Sequence, residues 1–172
     1  FVDLMGGELW LDSDEGKGST FFFSANFAKP LQAPAAEASE RAALNGLRVL
    51  VVDDNQTNRR ILQEMLASWH MEPSAVSDSM SALAALREAA AAARPFQVVI
   101  TDAHMPDVDG FTLAARIKAD RGLAATPIVM LSSIDRPEDV ARSRKVGIAA
   151  CLSKPVKHSD LLEALSASVG AT

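Results

Sequence analysis

From residue 47 onward the chain alternates between two hydrophobic patterns. Short continuous apolar runs, rich in β-branched residues, are followed by longer stretches in which apolar residues return every three or four positions. The first pattern predicts strands buried on both faces, the second amphipathic helices. In order, strands are expected at 47–52, 73–76, 96–101, 127–131 and 148–152. Helices are expected at 56–69, 79–93, 110–119, 137–145 and 159–168, with Ser159 as N-cap of the last. Five strand-helix repeats predict an α/β fold, a doubly wound five-stranded parallel sheet with right-handed crossovers and helices on both faces.

Ahead of residue 47 the pattern is different. Phe1 to Leu4 reads as the last turn of a helix halted by Gly6-Gly7. Leu9-Trp10-Leu11 is a short strand, Asp12 to Ser19 a turn-rich loop, and Thr20 to Phe27 a second strand. Together they form a β-hairpin with an apolar face, marginal by itself in water. Residues 28–46 shift to Ala, Pro, Glu and Gln without an apolar period and read as a linker. The expected organisation is 1–27, linker 28–46, and one domain over 47–172.

Composition narrows the classes. A net charge of −5 over 172 residues argues against nucleic acid as a direct partner. The single cysteine, Cys151, allows no internal disulfide and points to a reducing compartment. No apolar run reaches the length of a membrane span, so no membrane contact is expected. The opening Phe1-Val2-Asp3-Leu4 lacks an initiator Met, and the sequence reads as a piece of something longer.

The chemistry gathers at strand ends. Four of the five strands end in a functional group: Asp53-Asp54, Asp102, Ser132 and Lys154. A parallel sheet brings all of these to one edge, where open α/β sheets place their ligands. Three crowded carboxylates repel one another unless a cation intervenes. All-oxygen ligation suits Mg²⁺. Lys154 adds positive charge for an incoming anion, and Ser132 a donor for a phosphoryl oxygen. The set describes a phosphoryl-transfer site with a carboxylate nucleophile. Asp107 and Asp109 read as turn and N-cap residues, His70 and His158 as surface residues, and Cys151 as a small strand residue.

Residues from about Leu47 to the C-terminus resemble a response-regulator receiver domain, with every marker position present. The resemblance implies a flavodoxin-like sheet of order 2-1-3-4-5. It implies Asp102 as phosphoacceptor, Asp54 as direct Mg²⁺ ligand, Asp53 as a neighbour acting through water, and the His104 backbone carbonyl as a further metal ligand. Ser132 becomes the switch hydroxyl and Lys154 the phosphate-pairing lysine, held by a cis bond to Pro155. Met5-Gly6-Gly7 with Gly16-Lys17-Gly18-Ser19-Thr20-Phe21 resembles the last glycine box of a histidine-kinase ATPase domain. Taken alone, these glycines make a hairpin turn.

A receiver behind such a remnant looks like part of a hybrid sensor histidine kinase. The implied partners are a histidine kinase core and a histidine phosphotransfer protein, the implied location cytoplasmic, and the receiver a monomer. Phosphorylation would shift the face built by the fourth helix, fifth strand and last helix. Cys151 stands where relatives often carry Tyr or Phe, so an aromatic switch is not expected. Ile134, two residues after Ser132, is expected to restrict water and lengthen the phosphoryl lifetime. The alternative of another class is a Mg²⁺-dependent phosphohydrolase with an aspartyl-phosphate intermediate; adjacent Asp53 and Asp54, rather than acids two apart, speak against it.

Overall fold

A computed structural model describes residues 2–16, 18–27, 44–106, 108–132 and 137–170. The expectations for Lys17, Asp107, Ile134 and linker residues 28–43 lie outside the described residues. The chain divides into two compact units, Phe1–Ala35 and Ala36–Thr172.

In the first unit a 3₁₀ turn, Asp3–Met5, ends at Gly6, whose φ of 64° is the left-handed conformation that favours glycine. Strands β1 (Leu9–Asp14) and β2 (Gly18–Phe23) form an antiparallel ribbon with Leu9 opposite Phe23 and Asp14 opposite Gly18. The ladder runs three residues past the expected end of β1. Ser13 and Ser19 face each other with hydroxyl oxygens 2.7 Å apart. A ribbon wetted on both sides can extend through polar residues, so apolar content underestimates its length.

The second unit contains β3 (Arg48–Val52), α1 (Gln56–Ser68), β4 (Glu72–Val76), α2 (Ser79–Ala91) and β5 (Val98–Asp102). It continues with α3 (Gly110–Ala119), β6 (Ile128–Ser132), α4 (Pro137–Val146), β7 (Ala150–Ser153) and α5 (His158–Gly170). The strands lie in the order β4-β3-β5-β6-β7, all pairs parallel. Counted within this unit, the order is 2-1-3-4-5, as the resemblance implied.

Alternate residues of each strand feed two cores, because successive side chains point to opposite faces. Val49, Val51, Val98 and Ile100 pack with Leu62 and Leu66 of α1 and Leu161 and Leu165 of α5. Leu50, Val52 and Val99 pack with Leu86 of α2 and Phe111, Leu113 and Ile117 of α3. Burial on both faces explains why the central strands read as continuous apolar runs. Leu44 is also buried in the first of these cores, so packing begins three residues before the expected domain start.

One capping expectation is corrected. Helix α5 begins at His158, and Leu161 N–H already donates to the Lys157 carbonyl. Ser159 therefore lies inside the first turn, its hydroxyl paired with the Asp160 carboxylate at 2.9 Å. Asp109, by contrast, caps α3 as expected, accepting from the Thr112 N–H at 2.7 Å.

Candidate phosphoryl-transfer site

The strand register assembles the site. Val52 lies opposite Thr101, so Asp53, the next residue after β3, is level with Asp102 at the end of β5. Asp102 lies opposite Leu131, which puts Ser132 one step further along β6. Ser132 lies opposite Ser153, and Lys154 follows directly. Neighbouring strands are about 4.8 Å apart, so these side chains share one edge of the sheet.

The contacts follow. Lys154 Nζ donates to Asp102 Oδ2 at 2.8 Å and to Asp53 Oδ2 at 3.1 Å. Asp53 is 1% exposed and Asp102 6%, and buried charges of this kind persist only when paired. Burial by itself would lower the Lys154 pKa; hydrogen bonds and charge from Asp102 and Asp53 outweigh it, and the net shift is upward. Lys154 is held as a cation. The Lys154–Pro155 bond is cis.

Asp54 is exposed, yet its carboxylate belongs to the same cluster. Oxygens of Asp53, Asp54 and Asp102 all lie within 4.8 Å of one another. Three carboxylates against one ammonium leave the cluster short of positive charge. Hard oxygen donors with a cation deficit fit a small divalent ion such as Mg²⁺. The structure thus brings together Asp53, Asp54, Asp102 and Lys154. Ser132 is buried at the end of β6, and its carbonyl accepts the Lys154 backbone N–H at 2.8 Å. The His104 N–H donates to Asp102 Oδ1 at 3.3 Å.

Backbone shape matters at one further position. A Cβ on Gly110 would lie 2.0 Å from the Asp102 carbonyl oxygen, so α3 can start this close only with glycine.

Three participants were missed in the sequence. Asn55 caps α1, accepting from Thr57 and Asn58 N–H groups, while its own N–H donates to Asp53 Oδ1 at 2.8 Å. The Asn58 amide donates to both Asp53 oxygens, at 3.3 and 3.1 Å. Arg59 Nη1 donates to the carbonyls of Asp53 and Asp54, at 2.7 and 2.9 Å. The available signal was an Asn before a helical period, then Asn and Arg on the first turn beside the acids.

Residues 49–166 match the response regulator receiver domain family, and the chain belongs to it. It is 31% identical to sensor histidine kinase AruS of Pseudomonas aeruginosa over 166 residues, 95% of this chain but 16% of AruS. It is 35% identical to Protein PilG of the same organism over 125 residues, 73% of this chain and 89% of PilG. Among solved structures it resembles chemotaxis response regulator CheY4 of Vibrio cholerae. That match has 29% identity, a TM-score of 0.65, and covers 72% of this chain and 99% of CheY4. Among the described residues, no helix is long and apolar enough to cross a membrane.

Proposed function

We propose that this receiver takes a phosphoryl group from a phosphohistidine onto Asp102, then passes it to a histidine phosphotransfer protein or releases it to water. An Asp102 carboxylate oxygen bonds to phosphorus, the bond from phosphorus to the imidazole nitrogen breaks, and the nitrogen keeps the electron pair. The observation that carries this reading is the Lys154 ammonium held between Asp102 and Asp53 at 2.8 and 3.1 Å. It balances charge on the nucleophile beforehand and pairs with the phosphoryl oxygens afterwards. Ser132 serves as the hydroxyl that turns to the transferred group.

Asp54, Asp102 and the His104 carbonyl would hold Mg²⁺, with Asp53 acting through water. When bound, Mg²⁺ supplies positive charge to the oxygens of the transferred group. Hydrogen-bond saturation supports the split between the acids. Asp53 accepts from Asn55, Asn58 and Lys154, which occupies most of its lone pairs. The Asp54 carboxylate accepts no hydrogen bond from the described residues. A groove of about 440 Å³ beside the acids, lined by Asn58, Ile61, Leu62, Met65, Pro155 and Val156, offers apolar surface to an incoming histidine-bearing helix.

The parent is read as a hybrid sensor histidine kinase, with residues 1–27 the end of its ATPase domain, 28–46 a linker and 47–172 a monomeric receiver on the cytoplasmic side. Alignment with AruS across 95% of this chain supports that arrangement.

The test is treatment with a small-molecule phosphodonor and Mg²⁺, followed by intact mass. One slowly decaying phosphate that is lost in Asp102→Asn is expected. Rapid multiple turnover on organophosphates would favour the phosphohydrolase, and no adduct would leave only a docking surface.

A further inference from the structure

Asn58 and Arg59 lie in the first turn of α1, and neither belongs to the strand-end set. Their contacts nevertheless converge on the acid pair from two directions. Asn58 grips the Asp53 carboxylate by its amide, at 3.1 and 3.3 Å. Arg59 reaches back and holds two consecutive backbone carbonyls, Asp53 at 2.7 Å and Asp54 at 2.9 Å. Strand alternation turns two adjacent acids to different sides, but it does not say which of them is left open to a cation. Here one is buried and saturated with donors, and the other projects outward with its carboxylate unsatisfied among the described residues.

We propose that Asn58 and Arg59 are positioning residues that assign unequal roles to Asp53 and Asp54. Arg59 fixes the turn of the peptide between them, so that the two side chains diverge. Asn58 fills lone pairs on Asp53 and turns it toward Lys154, which keeps Asp53 from taking the cation directly. Asp54 is left as the open acidic ligand next to Asp102. The guanidinium suits this task because one nitrogen offers two N–H groups at fixed angles to two carbonyls. The Asn58 amide suits it because it donates without adding a further negative charge. Partners that orient ligands in this way affect metal affinity about 10–100-fold when removed.

The inference rests on the cation-binding reading of the acid cluster, and one experiment separates the two. Mg²⁺ binding to the full 172-residue chain is measured by calorimetry for wild type, Asn58→Leu, Arg59→Ala and Arg59→Lys, alongside thermal unfolding without metal. Wild type is expected to bind, and Arg59→Ala to bind about tenfold more weakly. Arg59→Lys, which retains a donor over a similar reach, is expected to recover part of the loss. Asn58→Leu is expected to change the Mg²⁺ affinity at least about threefold, because Asp53 then competes for the ion. A purely structural role would lower the melting temperature and leave the affinity of the folded chain unchanged. Affinities within twofold of wild type in folded Asn58→Leu and Arg59→Lys, with Arg59→Ala equally tight or unfolded, would overturn the inference while the cation site stands. Failure of wild type to bind Mg²⁺ would overturn both.

Discussion

The hairpin of the first unit and the sheet of the second use similar residues to opposite effect. Leu9, Trp10, Leu11, Phe21, Phe22 and Phe23 are all at least 41% exposed. Val49 to Val52, Val98 to Ile100 and Ile128 to Met130 are fully buried. The ladder is complete in both places, with six residue pairs in the ribbon and four or five in each pair of parallel strands. Backbone pairing therefore does not distinguish them; the helices laid across both faces of the parallel sheet do. The ribbon shows what the same chemistry looks like before it is covered. Its apolar residues stand on both faces, with Trp10 and Phe22 stacked 5.5 Å apart on one and Leu9, Leu11, Phe21 and Phe23 on the other. The sequence predicts one apolar face, and the ribbon has two.

The largest expected effect comes from removing a side chain on each side of this contrast. Leu66 is completely buried between α1 and the sheet. Leu66→Ala is expected to cost about 2–5 kcal/mol of unfolding free energy in urea, through lost burial and a cavity. Phe22→Ala removes a larger side chain from a wetted ribbon and is expected to change receiver unfolding by less than about 0.5 kcal/mol. Equal losses at the two positions would show that the ribbon is covered in solution.

A backbone effect should come next. Gly110→Ala would drive a methyl into the Asp102 carbonyl, and relief requires α3 to move away from β5. A loss of about 1–3 kcal/mol is expected, read by thermal unfolding. The phosphorylation yield should fall with it, because the carbonyl it presses on belongs to Asp102, the proposed phosphoacceptor. An alanine variant as stable and as readily phosphorylated as wild type would mean that the close approach at Gly110 is dispensable.

The three central strands and the groups at their ends were legible because parallel burial on both faces leaves no alternation to decode, whereas the edge strands β4 and β7 are only partly buried. An apolar run simply stops where its polar cargo begins, as Val52 does before Asp53 and Ile100-Thr101 before Asp102. Register then did the rest, since a level row of strand ends needs no side-chain detail to predict. Asn58 and Arg59 were not legible for the converse reason. Polar residues on the first turn of a helix ordinarily face solvent, and nothing in their spacing says that they fold back onto the preceding loop. Ser159 failed because a helix boundary moves by a residue at little cost, and its hydroxyl found Asp160 instead. Asp109 succeeded because Gly110 must follow it: the close approach to Asp102 fixes where α3 starts.

Asp109 also offers the smallest and most specific contrast with the ribbon. Its carboxylate caps α3 through Thr112 and meets Arg142 Nη2 at 3.0 Å, while the Arg142 guanidinium lies 4.2 Å above the Phe111 ring. Burial alone would raise the Asp109 pKa, but the Thr112 hydrogen bonds and then Arg142 outweigh it, and the net shift is downward. A carboxyl with a depressed folded pKa stabilises the fold above its unfolded value of about 3.9 and loses that contribution as pH falls through the folded value. Asp109→Asn keeps the cap, since Asn serves as well as Asp, and removes only the charge. Both partners are partly exposed, so the expected loss at neutral pH is small, less than about 1 kcal/mol. Unfolding of wild type and Asp109→Asn should therefore differ at pH 7 and converge as pH drops below about 3.9. The Ser13–Ser19 pair of the ribbon involves hydroxyls that do not titrate in this range, so its replacement should show no such convergence. A gap between wild type and Asp109→Asn that stays constant from pH 7 to pH 2 would locate the energy in packing rather than in charge, and Arg142 would then matter for its stacking on Phe111 alone.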